Sequence, residues 1–202
     1  MLNRFPPEIP LATLAAMAFL EDKFGEWKPV SRIAGIFWLC CYALFLIYAL
    51  TNTTGFLFPD YANLMIHEAG HFFFSWFGNT IMILGGTLGE LLVPLLCALF
   101  FFWQRETAGF TFSIFWFFEN FPYIGAYMAD ARTASRPLVG SDTSDWEILF
   151  GQWGLLTQDQ KIGGAVRTLG LLGMFATMAW LAYRFRRDTV SKVRSQTGNS
   201  SS

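Results

Sequence analysis

Long apolar runs separated by short polar connections dominate the pattern of this chain. The plainest runs are residues 33–50, 62–84, 87–103, 108–128 and 166–183. Each approaches the ~20 residues that a helix rising 1.5 Å per residue needs to cross a hydrocarbon layer ~30 Å thick. The first carries no charge. The last ends in Tyr183-Arg184-Phe185-Arg186-Arg187, whose basic groups can snorkel toward lipid headgroups. One such run fits a buried helix of a soluble protein, but five leave too little polar sequence to cover them. The pattern predicts an all-α polytopic membrane protein with four to six transmembrane helices.

Three sections follow from the same pattern. Residues 1–32 are expected to lie at the interface. Their apolar stretch 9–20 is short for a span, is interrupted by Pro10 and lacks the features of a cleavable signal peptide. Residues 33–183 form one membrane-embedded domain. Residues 184–202 form a basic tail, expected to be disordered and cytoplasmic, with five Lys/Arg against one Asp. Lys23, Lys28 and Arg32 also favour the cytoplasm, whereas 51–61 has no Lys or Arg and suits the opposite side. Two cytoplasmic ends require an even number of crossings. Either 9–20 or 146–156 therefore enters the membrane, or one of the five runs does not cross. Gly85, Gly86 and Gly89 are expected to make a tight inter-helical turn followed by close helix packing.

Composition agrees with a membrane setting. Hydrophobic residues make up 53% of the 202 positions and charged residues 14%, against about 25% charged in soluble domains. The net charge of −1 gives no reason to expect nucleic acid as a partner. Three cysteines form neither a disulfide framework nor a Cys-rich metal site. The expected setting is the lipid bilayer of a plasma or bacterial inner membrane.

The chemistry sits in His67-Glu68-Ala69-Gly70-His71, which holds both histidines of the chain. On a helix, His67 and His71 project from one face about 6 Å apart along the axis, so both imidazoles can reach one metal ion. The H-E-x-x-H pattern makes Glu68 the general base that handles a metal-bound water, and Zn²⁺ the expected cofactor. Asn63 shares the stripe. An ionised group at the centre of a spanning helix costs about 2.5–3.5 kcal/mol on insertion scales. A polar cavity or a metal must therefore compensate it.

With no third histidine and no suitably spaced cysteine, the third protein ligand should be a carboxylate. Asp130 is favoured. It ends a stretch too apolar for an ordinary loop, in which Pro122 can interrupt the helical ladder and Gly125 permits close backbone approach. Such a discontinuity is tolerated where it faces a polar cavity. Glu119, Glu90 and the pair Asp142/Asp145 remain alternatives, although that pair reads more simply as turn caps in a Ser/Gly-rich loop.

At these residues the chain resembles the site-2-protease class of intramembrane zinc metallopeptidases. The resemblance starts at His67-Glu68-Ala69-Gly70-His71 and continues through Gly85-Gly86-Thr87-Leu88-Gly89-Glu90, which is similar to a glycine-rich connection in that class. Asn120-Phe121-Pro122 followed by Asp130 is similar to its distal segment, with Ala131 in place of the usual glycine. The resemblance implies that Asp130 is the third zinc ligand and that Asn120 positions the substrate. The expected activity is hydrolysis of a peptide bond in or near a membrane-spanning protein substrate. The alternatives are a non-proteolytic membrane protein with a zinc or proton-relay site and an inactive, peptidase-like interaction protein. No separate recognition domain is apparent, so specificity would come from the membrane domain, short loops or an additional membrane subunit.

Overall fold

The computed structural model describes residues 26–52, 56–135 and 143–199, with side chains through residue 190. The interfacial stretch expected at 9–20, and Asp142, lie outside the described residues. Within them the fold is all-α, with six helices: α1 (Arg32–Thr51), α2 (Asp60–Phe74), α3 (Asn79–Trp103), α4 (Thr107–Ala129), α5 (Asp145–Trp153) and α6 (Asp159–Asn199). Three stretches, Arg32–Thr51, Asn79–Trp103 and Leu156–Val190, are long and apolar enough to cross a membrane. These mark the chain as an integral membrane protein. At 23 residues α4 matches them in length, but it carries Glu119 and Asn120 in its second half.

Local chemistry explains the helix boundaries. Ser31 caps α1, its Oγ accepting from Ala34 N at 3.2 Å. Pro59 precedes α2, and the Asp60 carboxylate accepts from Leu57 N, tying the helix start to the chain that enters it. Between α3 and α4 only Gln104–Glu106 intervene. Arg105 takes a positive φ of 54° there, and Glu106 caps α4 by accepting from Gly109 N. So short a connection makes α3 and α4 antiparallel neighbours.

The structure redistributes two of the expected runs. Residues 62–84 do not form one helix. They split at a single 3-10 turn (Ser75–Phe77) and at Gly78, whose φ of 93° only glycine adopts without strain. Gly85, Gly86 and Gly89 are not a turn either, because α3 passes straight through them. They form a small-residue face against α2, where a Cβ on Gly70 would come within 2.2 Å of the Gly85 carbonyl oxygen. Helices that close are a packing solution of membrane proteins, where small residues let backbones approach. Pro122 likewise does not interrupt α4, which is continuous to Ala129. The stretch around 146–156 holds α5, nine residues or ~14 Å long, too short to cross. Gly154 ends it in the left-handed conformation.

Helix α4 sits centrally, with α3 on one side and α6 on the other; α2 packs on α3, and α1 on α6. Gly125 of α4 and Gly163 of α6 meet backbone to backbone, each leaving no room for a Cβ beside the other's carbonyl. Gly170 and Gly173 make similar room for the Phe118 side of α4. Two apolar cores result. One joins Tyr42, Phe115, Met174 and Leu181 across α1, α4 and α6. The other packs Ile83, Ile124 and Met128 against Trp146, Leu149 and Phe150, and so fixes α5 over the ends of α3 and α4. Helix α6 continues past Tyr183 to Asn199, so much of the section expected as a disordered tail is helical. Arg184 is buried there and pairs with Asp188 at 3.6 Å, and Asp188 in turn accepts from Val30 N at 3.3 Å.

Candidate metal centre

One face of α2 is polar and buried along its length: Asp60, Asn63 and His67 fall at helical spacing on it, with Gly70. His71 continues the stripe, half-buried. The helix presents these groups to α3, α4 and the start of α5, so the polar face of a mostly apolar segment looks inward.

The two imidazoles converge on one oxygen. His67 Nε2 lies 2.9 Å from Asp145 Oδ2, and His71 Nε2 lies 3.3 Å from the same atom. One ligand atom from each of His67, His71 and Asp145 lies within 4.8 Å of the other two. The opposite nitrogens face α3. His71 Nδ1 is 2.9 Å from the Met82 carbonyl oxygen. A carbonyl only accepts, so this nitrogen carries the proton and donates. His67 Nδ1 is 3.4 Å from Glu90 Oε1. Tyr127 steadies the carboxylate from α4: Asp145 N donates to its Oη at 3.2 Å, and that hydroxyl stands 3.5 Å from Asp145 Oδ2.

Asp145 reaches the site because it opens α5, and the apolar residues behind it, Trp146, Leu149 and Phe150, anchor that short helix in the core. A proton on either facing Nε2, which a metal ion would displace, donates to Asp145; burial pushes that carboxyl up, but these hydrogen bonds outweigh it and hold the group at about 2. The carboxylate is thus ionised throughout the physiological range. Two imidazole Nε2 atoms, once freed of their protons, and one carboxylate match the donor set of catalytic zinc sites, which use three protein ligands and leave a fourth position for water or substrate. Gly86 lets α3 pack closely against the His67 ring, since a Cβ there would overlap its Nε2 edge unless the imidazole shifted.

The other expected residues fall as follows. Asp130, favoured as the third ligand, does not join the imidazoles. Its Oδ1 accepts from Thr133 Oγ1 (2.6 Å), Ser135 Oγ (2.6 Å) and Ser135 N (3.1 Å), and so closes the turn after α4. It lines a separate cavity of about 430 Å³ with Gln160 and Arg167. The reason is the unbroken α4: with no interruption at Pro122, the helix carries Asp130 past the site to its C-terminal end. Asn120, expected to touch substrate, is fully buried, its Nδ2 donating to the Glu90 carbonyl at 3.1 Å and the Trp116 carbonyl at 3.0 Å. It ties α4 to α3. Glu119 accepts from Asn63 at 3.0 Å. Glu68, next to His67, is half-buried and has no hydrogen bond or ion pair among the described residues. No family model, curated protein or solved structure matches the chain.

Asp145 was visible in the sequence only as half of an acidic pair, because an acid at the start of a short helix is also what capping demands. The signal that separates the two uses is Trp146 with the apolar residues after it, which bury that helix rather than leave it in solvent.

Proposed function

We propose that the protein is a zinc-dependent intramembrane endopeptidase that hydrolyses a peptide bond in or near a membrane-spanning protein substrate. The observation that carries this reading is the convergence of His67 Nε2, His71 Nε2 and Asp145 Oδ2, with an unengaged Glu68 beside the first of them. The resemblance to site-2 proteases supports it through the H-E-x-x-H segment, but with Asp145 in place of Asp130 as third ligand. A zinc ion held there would acidify a water molecule and polarise a carbonyl.

The remaining work belongs to side chains. Glu68 takes the proton of the attacking water and returns a proton to the leaving amine; no partner among the described residues competes for it in either transfer. Tyr127 orients Asp145. Asn120 acts at one remove, holding the α3 backbone at Glu90. The short α2 that carries both histidines also exposes Met65, Phe72 and Phe73, apolar surface that suits a membrane-spanning substrate. A substrate helix must unwind locally there, because its carbonyls are otherwise engaged in its own ladder.

The test uses the full chain in detergent or reconstituted bilayers, with a membrane-spanning reporter peptide. The reading expects bound zinc near one per chain, cleavage lost on chelation, and Glu68→Gln that keeps zinc but loses cleavage. Zinc retained with function unaffected by Glu68→Gln would instead favour a structural metal site, and function surviving His67→Ala would favour an interaction protein.

A further inference from the structure

Glu90 is 1% exposed and lies in the apolar interior of α3, one turn after Gly86. Among the described residues neither of its carboxylate oxygens has a hydrogen-bond partner, and neither does His67 Nδ1. The structure sets these unsatisfied groups against each other at 3.4 Å. A carboxylate buried without a partner is strongly disfavoured, so a sequence that places one here needs a compensating contact. An ionised carboxylate only accepts, so against Glu90 in that form the imidazole carries its proton on Nδ1. That leaves the Nε2 lone pair directed at the position shared with Asp145 and His71.

The same logic already holds at His71, whose Nδ1 donates to the Met82 carbonyl. Helix α3 therefore backs both rings, one through a main-chain oxygen and one through Glu90. Metal-bound histidines commonly donate their second nitrogen to a carboxylate or carbonyl, which fixes the tautomer and raises ligand basicity. Asn120 steadies the arrangement from α4 by donating to the Glu90 carbonyl at 3.1 Å. Gly86 makes room for the ring of His67, and Glu90 takes its far nitrogen; at a spacing of four they share one face of α3.

We infer that Glu90 is a positioning residue for the metal centre, holding His67 in the tautomer and orientation that present Nε2 to the ion. The inference rests on the metal-centre reading but adds a residue that the H-E-x-x-H motif does not contain. The alternative is an incidental buried acid whose loss would only improve packing.

Zinc affinity separates the two, measured on the detergent-solubilised full chain by competition with a chromophoric chelator, alongside the visible absorption of the Co²⁺-substituted protein. Glu90→Gln keeps the shape and removes the charge; Glu90→Leu removes both charge and polarity. The inference expects each to weaken zinc binding about 10- to 100-fold and to alter the Co²⁺ spectrum, with helix content and elution as a single species retained. Affinity and spectrum matching the parent in a folded Glu90→Leu would overturn it. If the parent binds zinc and cleaves the reporter while both variants bind equally well, the inference about Glu90 fails alone. If the parent binds no zinc, the metal-centre reading fails and the inference with it.

Discussion

The two halves of α2 bury polar groups in opposite ways. Near its start, Asp60, Asn63 and Glu119 bring their own donors: Asn63 Nδ2 donates to Asp60 at 3.3 Å and to Glu119 at 3.0 Å, and Trp116 Nε1 donates to Asn63 Oδ1 at 2.8 Å. Leu57 N serves the other oxygen of Asp60. Two turns later the pattern reverses. His67, His71 and Asp145 bring two ring nitrogens and a carboxylate oxygen together, and the opposite ring nitrogens face Met82 and Glu90. The first arrangement is close to self-sufficient, with Glu119 Oε1 its one unsatisfied oxygen among the described residues. The second gathers ligand atoms that could hold a cation. A polar stripe inside a membrane helix is therefore not one feature: donor supply distinguishes a structural cluster from a ligand site.

The largest effect should come from removing a convergent atom. His67→Ala or Asp145→Asn is expected to reduce bound zinc from about one per chain to a trace, measured by elemental analysis after exhaustive dialysis. Asn63→Leu, on the same stripe, should leave the zinc content at the parent level while lowering stability. Equal zinc loss in both halves would erase the distinction. Glu68→Gln comes next, with cleavage of the reporter falling about 10²- to 10⁴-fold, the range for a lost general base. Its zinc content should be unchanged, because Glu68 is not among the converging ligand atoms.

Two glycines sharpen the comparison further. At Gly86 a methyl group would meet the His67 ring within 2.4–2.6 Å, whereas at Gly70 it would meet the backbone of Gly85 at 2.2 Å. Gly86→Ala should weaken zinc binding through displacement of the imidazole. Gly70→Ala should act first on helix packing, since backbone cannot swing aside, with a loss of about 1–3 kcal/mol for an overpacked contact. Chelator competition and unfolding in mixed micelles read the two effects separately. A Gly86→Ala protein with parental zinc affinity would show that the ring tolerates another orientation.

These glycines also show what the chain disclosed before folding. Apolar run length located α1 and α6 because crossing a bilayer is a demand on composition. The imidazole pair was legible because i, i+4 on a helix is a local relation. The placement of Gly78 against Gly85 and Gly86 was not: every one of them permits a turn, and the choice is made by packing, where only Gly85 and Gly86 meet another helix. Asp130 and Asp145 were separated by the same kind of long-range fact. Which acid reaches α2 depends on whether α4 breaks at Pro122 and on how α5 docks, and neither is written in the residues around the acid itself.

The smallest effect tests the self-sufficient half by itself. Trp116→Phe retains a large ring but deletes the Nε1–H that Asn63 Oδ1 accepts at 2.8 Å. Asn63 is 1% exposed, so water does not readily replace the donor. An unsatisfied buried acceptor costs about 1–3 kcal/mol, and in a bilayer the unfolded reference also finds partners, which pulls the value toward the lower end. The variant should unfold about 1 kcal/mol more easily in mixed micelles. Its zinc affinity and reporter cleavage should match the parent, because neither Asn63 nor Trp116 supplies one of the converging atoms. A parallel fall in zinc affinity would mean that the donor-rich cluster and the ligand site are one coupled network along α2.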